Sequence, residues 1–312
     1  MSMKTIGVAL LVATFPAWIA CAPQGRTYPG SDPAGARVGD WSTELDSTSH
    51  VISVAGFAGP ESVRYDPEQD VYFVSNFNGA PAGDANGFIS RVSAAGEMLA
   101  REFMVGTPAA PLHGPRGMYI VADTLWAADA DGLHGFDRRS GAHLAFVDFR
   151  RFAPGFLNDI ARGPDGALYV TDTGKPRLYR VLGREATLVM EDSLLGPPNG
   201  ITWHAASGRF LLAPWGGSQT FRAWRPGSSE LQVMGTSPGG NFDGIEVVGN
   251  RVLVASQRDS SLHVLENGAG RRLIRLSGRP ADIGIDTRRG RVAIPFVALN
   301  RVEIWALPGA SN

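Results

Sequence analysis

The stretch FLNDIARGPDGALYVTD, residues 156–172, contains two short apolar strands separated by a tight turn. The turn GPDG at 163–166 supplies the Asp and Gly that a β-hairpin needs, because Gly adopts a positive φ angle at no steric cost. The first strand nevertheless opens with two polar residues, Asn158 and Asp159. Such a pair is either a device of the preceding turn or part of a functional site. Only the pattern of the whole chain separates these two interpretations.

The same pattern of strand, turn and strand recurs along the chain, and such repetition is a strong indicator of fold. Aligned on the opening polar residue, which we call the anchor, the six units begin at Glu61, Arg116, Asn158, Asn199, Asp243 and Asp282. The anchors lie 39 to 55 residues apart, and the longest spacing contains an extra loop, NGAPAGDANG, at 78–87. Units of this length with four strands each are typical of β-propeller blades.

Strand counting predicts how the propeller closes. The third unit has four predicted strands, at 157–162, 167–171, 177–182 and 186–190, whereas the last has room for only three, at 281–286, 291–296 and 300–307. The strand predicted at 50–57 belongs to no other unit and would complete the last blade, which leaves no sheet edge unpaired. The sequence therefore predicts an all-β, six-bladed β-propeller over residues 49–307, closed by an N-terminal strand and followed by a tail at 308–312.

Composition agrees with this fold class and narrows the possible partners. The 312 residues include 39 Gly and 21 Pro, as expected for an all-β chain with frequent turns. The net charge is −1, and no basic run with interleaved aromatic residues is present, so we predict no nucleic-acid partner. One Gly-x-Ser-x-Gly pattern occurs, GTSPG at 235–239, but the all-β pattern predicts no helix after it to form a nucleophile elbow, which argues against a serine hydrolase.

Residues 1–21, MSMKTIGVALLVATFPAWIAC, have the composition of a secretory signal and are too short for a membrane-spanning helix. WIAC resembles a bacterial lipobox, in which Cys21 becomes the lipidated first residue, although Trp18 stands where Leu is usual. Cleavage after Ala22 is the alternative, but it leaves Pro23 next to the cut. We favour the lipoprotein, followed by a flexible tether at 22–48. Either route predicts an extracytoplasmic protein, which we expect to be a monomer. The lipoprotein would contact a membrane of the bacterial envelope only through its lipid anchor, whereas cleavage after Ala22 would give a secreted or periplasmic protein.

The anchors suggest a metal site, because the first strand of each propeller blade lines the central channel. Glu61, Asn158, Asn199 and Asp243 combine two carboxylates with two amide oxygens, a set that suits a hard divalent ion, Ca²⁺ above all. The absence of Cys and His at these positions argues against zinc. The alternative is that each residue caps a turn by bonding the backbone. Since four of the six equivalent positions share this chemistry, we favour the metal.

These motifs resemble those of the gluconolactonase/regucalcin family, also called the senescence-marker-protein family, and more distantly those of paraoxonases. The resemblance rests on GPESVRYDP (59–67), LNDIARGPDG (157–166), PPNGITW (197–203) and FDGIEVV (242–248), which occur in the blade order of the family. It implies a divalent metal held in the channel by Glu61, Asn158, Asn199 and Asp243. It also implies hydrolysis of a lactone or a related small ester.

Two departures from the family pattern bear on the substrate. Glu61 is followed by Ser-Val, where the best-known sugar lactonases of the family have Gly-Pro. Phe156 stands where those enzymes carry an Arg that contacts sugar acids, which argues against a gluconolactone-like substrate. Arg116 has two possible roles. It either takes over the binding of an anion or forms a salt bridge to Glu61 or Asp282 across the channel.

Two residues are candidates for the general base that hydrolysis requires. The family resemblance points to Asp243, and proximity to Arg116 in the sequence points to His113, for which a surface-loop position is the alternative. The pocket wall is predicted from the residues that follow each second strand: Asn76, Asp129, Asp172, Trp215, Gln257 and Phe296. A metal-dependent hydrolase is thus the first hypothesis. A non-catalytic binding propeller with a structural metal is the second, because fold alone does not determine function.

Overall fold

Residues 39–81 and 83–309 are described by a computed structural model, in which β-strands make up nearly all of the regular structure. The helices in these ranges are four short 3-10 turns, at Ser47–Ser49, Arg150–Phe152, Ser193–Leu195 and Val297–Leu299. None of the helices described is long and apolar enough to cross a membrane. The predicted signal peptide, the lipidation at Cys21 and most of the predicted tether lie outside the described residues.

The first three repeats each form a four-stranded antiparallel sheet, in which consecutive strands pair. Blade one contains β2 (Pro60–Asp66), β3 (Val71–Asn76), β4 (Phe88–Ser93) and β5 (Met98–Val105). Blade two contains β6 (Met118–Val121), β7 (Thr124–Ala128), β8 (Gly132–Asp137) and β9 (His143–Asp148). Blade three contains β10 (Leu157–Arg162), β11 (Leu168–Asp172), β12 (Arg177–Leu182) and β13 (Glu185–Glu191). The predicted strands of unit three agree with these bounds to within a residue.

Two further blades follow the same order, and the last one is closed from the other end of the chain. Blade four contains β14 (Pro198–His204), β15 (Arg209–Pro214), β16 (Thr220–Trp224) and β17 (Leu231–Thr236). Blade five contains β18 (Phe242–Val248), β19 (Arg251–Ser256), β20 (Ser261–Glu266) and β21 (Ala269–Arg275). Blade six contains β22 (Gly284–Asp286), β23 (Arg291–Phe296), β24 (Arg301–Ala306) and β1 (His50–Ala55). The all-β, six-bladed propeller closed by an N-terminal strand is confirmed.

Apolar residues from both faces of every sheet fill the spaces between the blades. There are six separate buried clusters in the described residues, one for each pair of neighbouring blades. Between blades three and four, for example, Tyr169 packs on Phe210 with ring centroids 4.5 Å apart. Burial of this kind contributes roughly 25 cal/mol for each Å² of apolar surface removed from water. The propeller is therefore a rigid support for polar residues on its inner strands.

The ordered domain begins earlier than the predicted boundary at residue 49. Trp41 is buried in the cluster between blades five and six. Leu45 forms a parallel bridge with Ile274, and its N–H donates to Leu273 O at 2.7 Å. Residues 41–45 therefore belong to the folded domain and not to a flexible tether. The sequence missed this because a single Trp and Leu in a polar segment rich in Pro and Gly show no strand periodicity.

The inner strands of four blades are interrupted by a β-bulge at the anchor. In blade three, Asn158 and Asp159 together lie opposite the single residue Thr171. The N–H of Asp159 donates to Thr171 Oγ1 at 3.0 Å, so a side chain substitutes for a missing ladder bond. A bulge breaks the alternation of side chains along a strand and re-aims them. This explains the polar pair at the start of an apolar strand: both residues are buried.

The blade-six anchor lies one residue before the predicted Asp282. Between blades two and three, the N–H of Gly117, one residue after an anchor, donates to Asn158 O at 3.0 Å. The equivalent bond between blades six and one runs from Asp282 N–H to Glu61 O at 2.9 Å. The anchor position of blade six is therefore Ala281. Alignment on the first polar residue failed here because the anchor position of blade six holds an apolar residue, so the first polar residue is the one that follows it.

Candidate functional site

Four of the predicted anchors form one buried polar group in the channel, which we call the ring: Glu61, Asn158, Asn199 and Asp243. No ring residue is more than 5% exposed. They interact with one another: burial and then the charge of Asp243 raise the pKa of Glu61, and the side chain of Asn199 partly opposes the rise that burial causes in the pKa of Asp243. The inner strands thus bring together residues that are up to 182 positions apart in the chain, counted from Glu61 to Asp243.

Each ring residue has one oxygen atom without a hydrogen-bond partner. These atoms are Glu61 Oε2, Asn158 Oδ1, Asn199 Oδ1 and Asp243 Oδ1. Buried polar atoms in folded proteins are nearly always hydrogen-bonded, so each exception needs an explanation. Only one other buried side-chain oxygen in the described residues lacks a partner, and it belongs to Asp131 in blade two. The two carboxylate and two amide oxygens of the ring therefore fit the ligand set of a divalent cation that prefers oxygen.

Neighbouring side chains fix the orientation of two ring residues. Asn158 Nδ2 donates to Thr173 Oγ1 at 2.9 Å, so the amide oxygen is the atom left free. Gln257 Nε2 donates to Asp243 Oδ2 at 2.8 Å, which leaves Oδ1 free. The sequence places Gln257 in the pocket wall, and the structure shows that it supports Asp243. The role of Thr173 has no sequence signal, because it depends on a contact between neighbouring blades.

Burial and mutual repulsion raise the proton affinity of the ring. Burial, followed by the charges of Asp243 and Asp282, raises the pKa of Glu61 well above its usual range, and Arg116 opposes this. Burial and then Asp282 raise the pKa of Asp243 to about 8, against the opposing effect of Gln257 and Asn199. Two adjacent buried carboxylates are costly when both are ionised. Either protons or a cation must therefore compensate their charge.

A second acidic layer is formed by the residues that follow the anchors, and sequence analysis did not identify it. Ser62 Oγ donates to Asp282 Oδ2 at 2.5 Å, and the N–H of Ile201 donates to Asp159 Oδ2 at 2.8 Å. Burial is the first cause of a raised pKa for both acids, to about 6 for Asp282. The consecutive polar residues Asn158 and Asp159 were a sequence signal for this layer. The signal could be interpreted only with the structure, because the bulge is what buries both side chains.

The charges of the two layers do not balance. The carboxylates that interact with Glu61 or Arg64 are Asp159, Asp243, Glu246 and Asp282, which with Glu61 make five, and the guanidinium groups beside them are Arg64 and Arg116. Five negative and two positive groups leave an excess of three negative charges when all are ionised. Arg64 is already paired, since its Nη1 lies 2.5 Å from Glu246 Oε1. A divalent cation would offset most of the remaining charge.

Arg116 is a buried cation with unused donors at the same end of the channel. It is 1% exposed, and its guanidinium carbon lies 3.8 Å from the ring centroid of Phe156 and 5.7 Å from that of Phe77. Its Nη2 donates to Pro81 O, whereas Nε and Nη1 have no partner. Within the described ranges, neither Glu61 nor Asp282 forms the predicted salt bridge with it. Stacking on two aromatic rings thus holds an unpaired positive charge in place.

Three predicted pocket residues have a different role. Asp172 accepts hydrogen bonds from the N–H groups of Gly155 and Phe156 at 2.9 and 2.7 Å. Asp129 and Asn76 accept equivalent bonds from the loops before their own anchors. We call Asn76, Asp129 and Asp172 the latch residues. All three are fully buried and bonded to the backbone, so they order the loops and do not form a pocket surface.

The two other predicted site residues lie apart from the ring. Trp215 is half-buried at the end of β15, where its N–H donates to Pro197 O at 2.9 Å. His113 is also half-buried and lies near Asp131 of blade two, whose pKa is raised by burial and by the charge of Asp129. No hydrogen bond or ion pair in the described residues connects His113 with a ring residue. Of the two candidate bases, the structure thus places Asp243, and not His113, in the ring.

Comparison with known proteins establishes the fold. No family model and no curated protein matches the chain. Among solved structures, a gluconolactonase from Xanthomonas campestris is similar at 16% identity and a TM-score of 0.62, covering 81% of this chain and 88% of that one. A streptogramin B lyase has a TM-score of 0.58 at 13% identity, covering 81% and 96%.

A further similar structure is that of a catalytically inactive variant of virginiamycin B lyase from Staphylococcus aureus with quinupristin. Its TM-score is 0.55 at 13% identity, covering 85% of this chain and 98% of that one. Hydrolases and lyases thus share the architecture with this chain. At these identities the comparisons establish a β-propeller of the kind found in gluconolactonases and streptogramin lyases, and the chemistry has to be argued from the ring itself.

Proposed function

We propose that the chain is a divalent-metal-dependent hydrolase, with Ca²⁺ as the preferred ion, acting on a lactone or small ester that carries an anionic group. The observation that supports this most directly is the set of four unpartnered oxygens in the ring. The sequence resemblance to gluconolactonases and the similar fold of a solved gluconolactonase agree with it.

Glu61, Asn158, Asn199 and Asp243 would hold the ion. When bound, such an ion polarises an ester carbonyl and lowers the pKa of water. The residues that support the ring have a complementary task, because Thr173 and Gln257 keep the amide and carboxylate oxygens pointing in fixed directions. A site that does not reorganise during the reaction stabilises developing charge most effectively.

Asp243 is the proposed general base. Its Oδ2 is engaged by Gln257 and its Oδ1 would bind the ion, so the carboxylate would be placed to accept a proton from an attacking water beside the ion. In the metal-free protein, burial and then the charge of Asp282 raise the pKa of this carboxyl to about 8. A bound cation would lower that pKa, so the group would be ionised and able to accept a proton near neutral pH. Gln257 is a positioning residue, since its amide orients the carboxylate and does not reach the substrate in this assignment.

Arg116 is the proposed anion-binding residue. This role limits the proposed substrates to lactones and small esters that carry a negative charge. Its free Nε and Nη1 atoms lie in a buried site beside Phe156, the residue that replaces the substrate-binding Arg of the related sugar lactonases. The guanidinium group is thus supplied from blade two and held over the ring of blade-three Phe156. A substrate carboxylate would neutralise this charge with two charge-assisted hydrogen bonds.

The location of the enzyme is part of the proposal. The first 21 residues support export, and Cys21 is the proposed lipidation site. The enzyme would then act outside the cytoplasm as a monomer, with a small molecule as its substrate and a lipid anchor as its membrane contact.

The decisive experiment measures metal binding and turnover on the same samples. Melting temperature is recorded in chelator and with added Ca²⁺ for the wild type, for Asp243→Asn and for Asp165→Asn, a control in the hairpin turn of blade three. All samples are then assayed against lactones and aryl esters with and without a carboxylate. We expect a Ca²⁺-dependent rise in melting temperature and Ca²⁺-dependent turnover in the wild type and the control, and neither in Asp243→Asn.

Product mass separates hydrolysis from elimination, because hydrolysis adds one water to the substrate. A stabilising effect of Ca²⁺ without turnover would instead support the alternative of a binding propeller with a structural metal. If Ca²⁺ stabilised Asp243→Asn as much as the wild type, the ring would not be the ion site and the proposal would fail.

A further inference from the structure

Blade two contains a second group of buried polar atoms without hydrogen-bond partners. Outside the ring, Asp131 Oδ1 is the remaining buried side-chain oxygen of this kind in the described ranges. The buried imidazole nitrogens without partners in the same ranges are His113 Nδ1 and His134 Nε2. All three residues belong to blade two or to the loop that enters it. Unpartnered carboxylate and imidazole atoms thus coincide in one blade.

The geometry of this group suits a metal ion. Asp129, Asp131 and His134 each bring one carboxylate oxygen or ring nitrogen within 4.8 Å of the others. His134 Nε2 lies 3.5 Å from Asp129 Oδ2, which is too long for a good hydrogen bond. Two ligands of a tetrahedral zinc ion with bonds of about 2.1 Å would be about 3.4 Å apart. The observed separation therefore matches a ligand pair better than a hydrogen bond.

A neighbouring histidine prepares His134 for this role. His134 Nδ1 lies 3.0 Å from His143 Nε2, and one of the two nitrogens must donate. When His134 donates from Nδ1, its Nε2 carries a free lone pair that faces Asp129. Metal-binding histidines usually donate their other ring N–H to a fixed acceptor in this way. His134 is fully buried, so no solvent satisfies Nε2 from outside.

A histidine of blade five can be compared directly with His134. His263 occupies the third position of β20, as His134 does in β8, and is equally buried. Both of its nitrogens are satisfied, Nδ1 by Ser237 Oγ at 2.8 Å and Nε2 by Asp259 Oδ2 at 2.9 Å. A histidine at this position of a blade can thus be held entirely by protein groups. The free Nε2 of His134 is a property of blade two and not of the fold.

We propose that Asp129, Asp131 and His134 form a second metal site, selective for a transition-metal cation of the zinc class. A mixed imidazole and carboxylate set favours such ions, whereas the all-oxygen ring favours Ca²⁺. Asp131 is only partly buried and gives the ion a route from solvent. Asp129 also accepts the N–H groups of His113 and Gly114, so an ion at this site would stiffen the loop that leads to Arg116.

The test measures zinc binding while the ring is saturated with Ca²⁺. The full chain carries Cys21→Ser, so that its single thiol cannot bind zinc. Equilibrium dialysis gives the stoichiometry and affinity for Zn²⁺, and the visible spectrum of added Co²⁺ reports the coordination geometry. The variants are Asp131→Asn and His134→Gln, with His263→Gln and the exposed blade-two variant Asp148→Asn as controls. Melting curves in chelator establish that each variant is folded.

We expect one Zn²⁺ per chain in the parent and in both controls. Asp131→Asn and His134→Gln should weaken binding by more than about 100-fold, since even changes to residues that only support a ligand cost about 10- to 100-fold. The proposal is overturned if the parent binds no Zn²⁺, or if all variants bind it equally. It is also overturned if Zn²⁺ binding is abolished by Asp243→Asn but not by Asp131→Asn, because the ion would then be in the ring. None of these readouts depends on turnover.

Discussion

The ring and the latch residues are two sets of buried polar side chains that recur around the same propeller, yet their hydrogen bonding is opposite. The ring residue Asp243 leaves Oδ1 without a partner, whereas both oxygens of the latch residue Asp172 accept backbone N–H groups. Both sets are at most 5% exposed, so burial does not distinguish them. Within these two sets only ring residues have an unpartnered buried oxygen, so hydrogen bonding, and not burial, distinguishes the ring from the latch residues.

The largest expected effect of the ring is on the stability of the metal-free protein, whose free energy of unfolding should depend on pH because of the ring and not because of the latch residues. Burial raises the folded-state pKa of Asp243 to about 8, from about 4 when unfolded. The folded state therefore holds the proton more tightly, and stability is highest below about pH 4 and falls as pH rises to about 8. At 1.36 kcal/mol for each pKa unit, the loss is at most about 5 kcal/mol for this group.

Denaturant unfolding in chelator between pH 5 and pH 8 measures this loss. Ca²⁺, or the substitution Asp243→Asn, should remove most of it, because each eliminates an uncompensated buried charge. A wild-type stability that stays constant over this range would contradict the electrostatic account of the ring.

Asp172→Ala should be the most destabilising of the substitutions compared here. It removes a fully buried carboxylate that accepts the part-buried N–H groups of Gly155 and Phe156, and each hydrogen bond to a charged group contributes about 1.5–3 kcal/mol. We expect a decrease of about 3 kcal/mol or more in the free energy of unfolding. In chelator at pH 8, Asp243→Asn should not decrease it. Equal destabilisation by both substitutions would erase the distinction between ring and latch.

Ca²⁺ should stabilise the wild type by about 2.7 kcal/mol at a concentration 100 times its Kd. Asn158→Ala should reduce this effect strongly, because it removes one ring oxygen while the bulge backbone is retained. The latch variant Asn76→Ala should keep the full Ca²⁺ effect on a less stable protein. Calorimetric titration of the two variants makes the comparison, and a loss of Ca²⁺ binding in Asn76→Ala alone would reverse the assignment.

Arg116→Gln should have the smallest effect on stability, within about 1 kcal/mol, because it removes an unpaired buried charge as well as its stacking. Under the proposed function, its effect appears in the Michaelis constant. A lost charge-assisted hydrogen bond of about 1.5–3 kcal/mol corresponds to a 10- to 100-fold increase in KM for a carboxylate-bearing lactone. KM for a neutral lactone should not change. Equal increases for both substrates would argue against an anion-binding role.

The sequence predicted the blades because strand, turn and strand repeat with local signals. The turn 163–166 and the closing strand β1 are both visible in the letters alone. The sequence also predicted the ring, since each of its four members stands at the start of the first strand of a blade. The sequence did not place Asp282 correctly, because the anchor of its blade is the apolar Ala281 and alignment on the first polar residue therefore moved the repeat by one position.

Contacts between blades could not be predicted from the sequence, for a different reason. Trp41 packs between blades five and six, and Thr173 Oγ1 donates to Pro198 O in the next blade at 2.8 Å. Neither contact follows from local propensity, because each depends on the distance between neighbouring sheets. The unpartnered Nε2 of His134 was equally hidden, since the sequence alone gives no account of which ring nitrogens find partners.

The bulge at Asn158 and Asp159 has a further consequence for how such a protein can change. One extra residue on the inner strand is absorbed locally, and the pairing resumes in register from Ile160 onwards. A single-codon deletion in this place would therefore remove one polar layer of the channel while leaving the outer three strands of the blade unchanged. The chemistry of the channel and the architecture that surrounds it can thus evolve separately, one blade at a time.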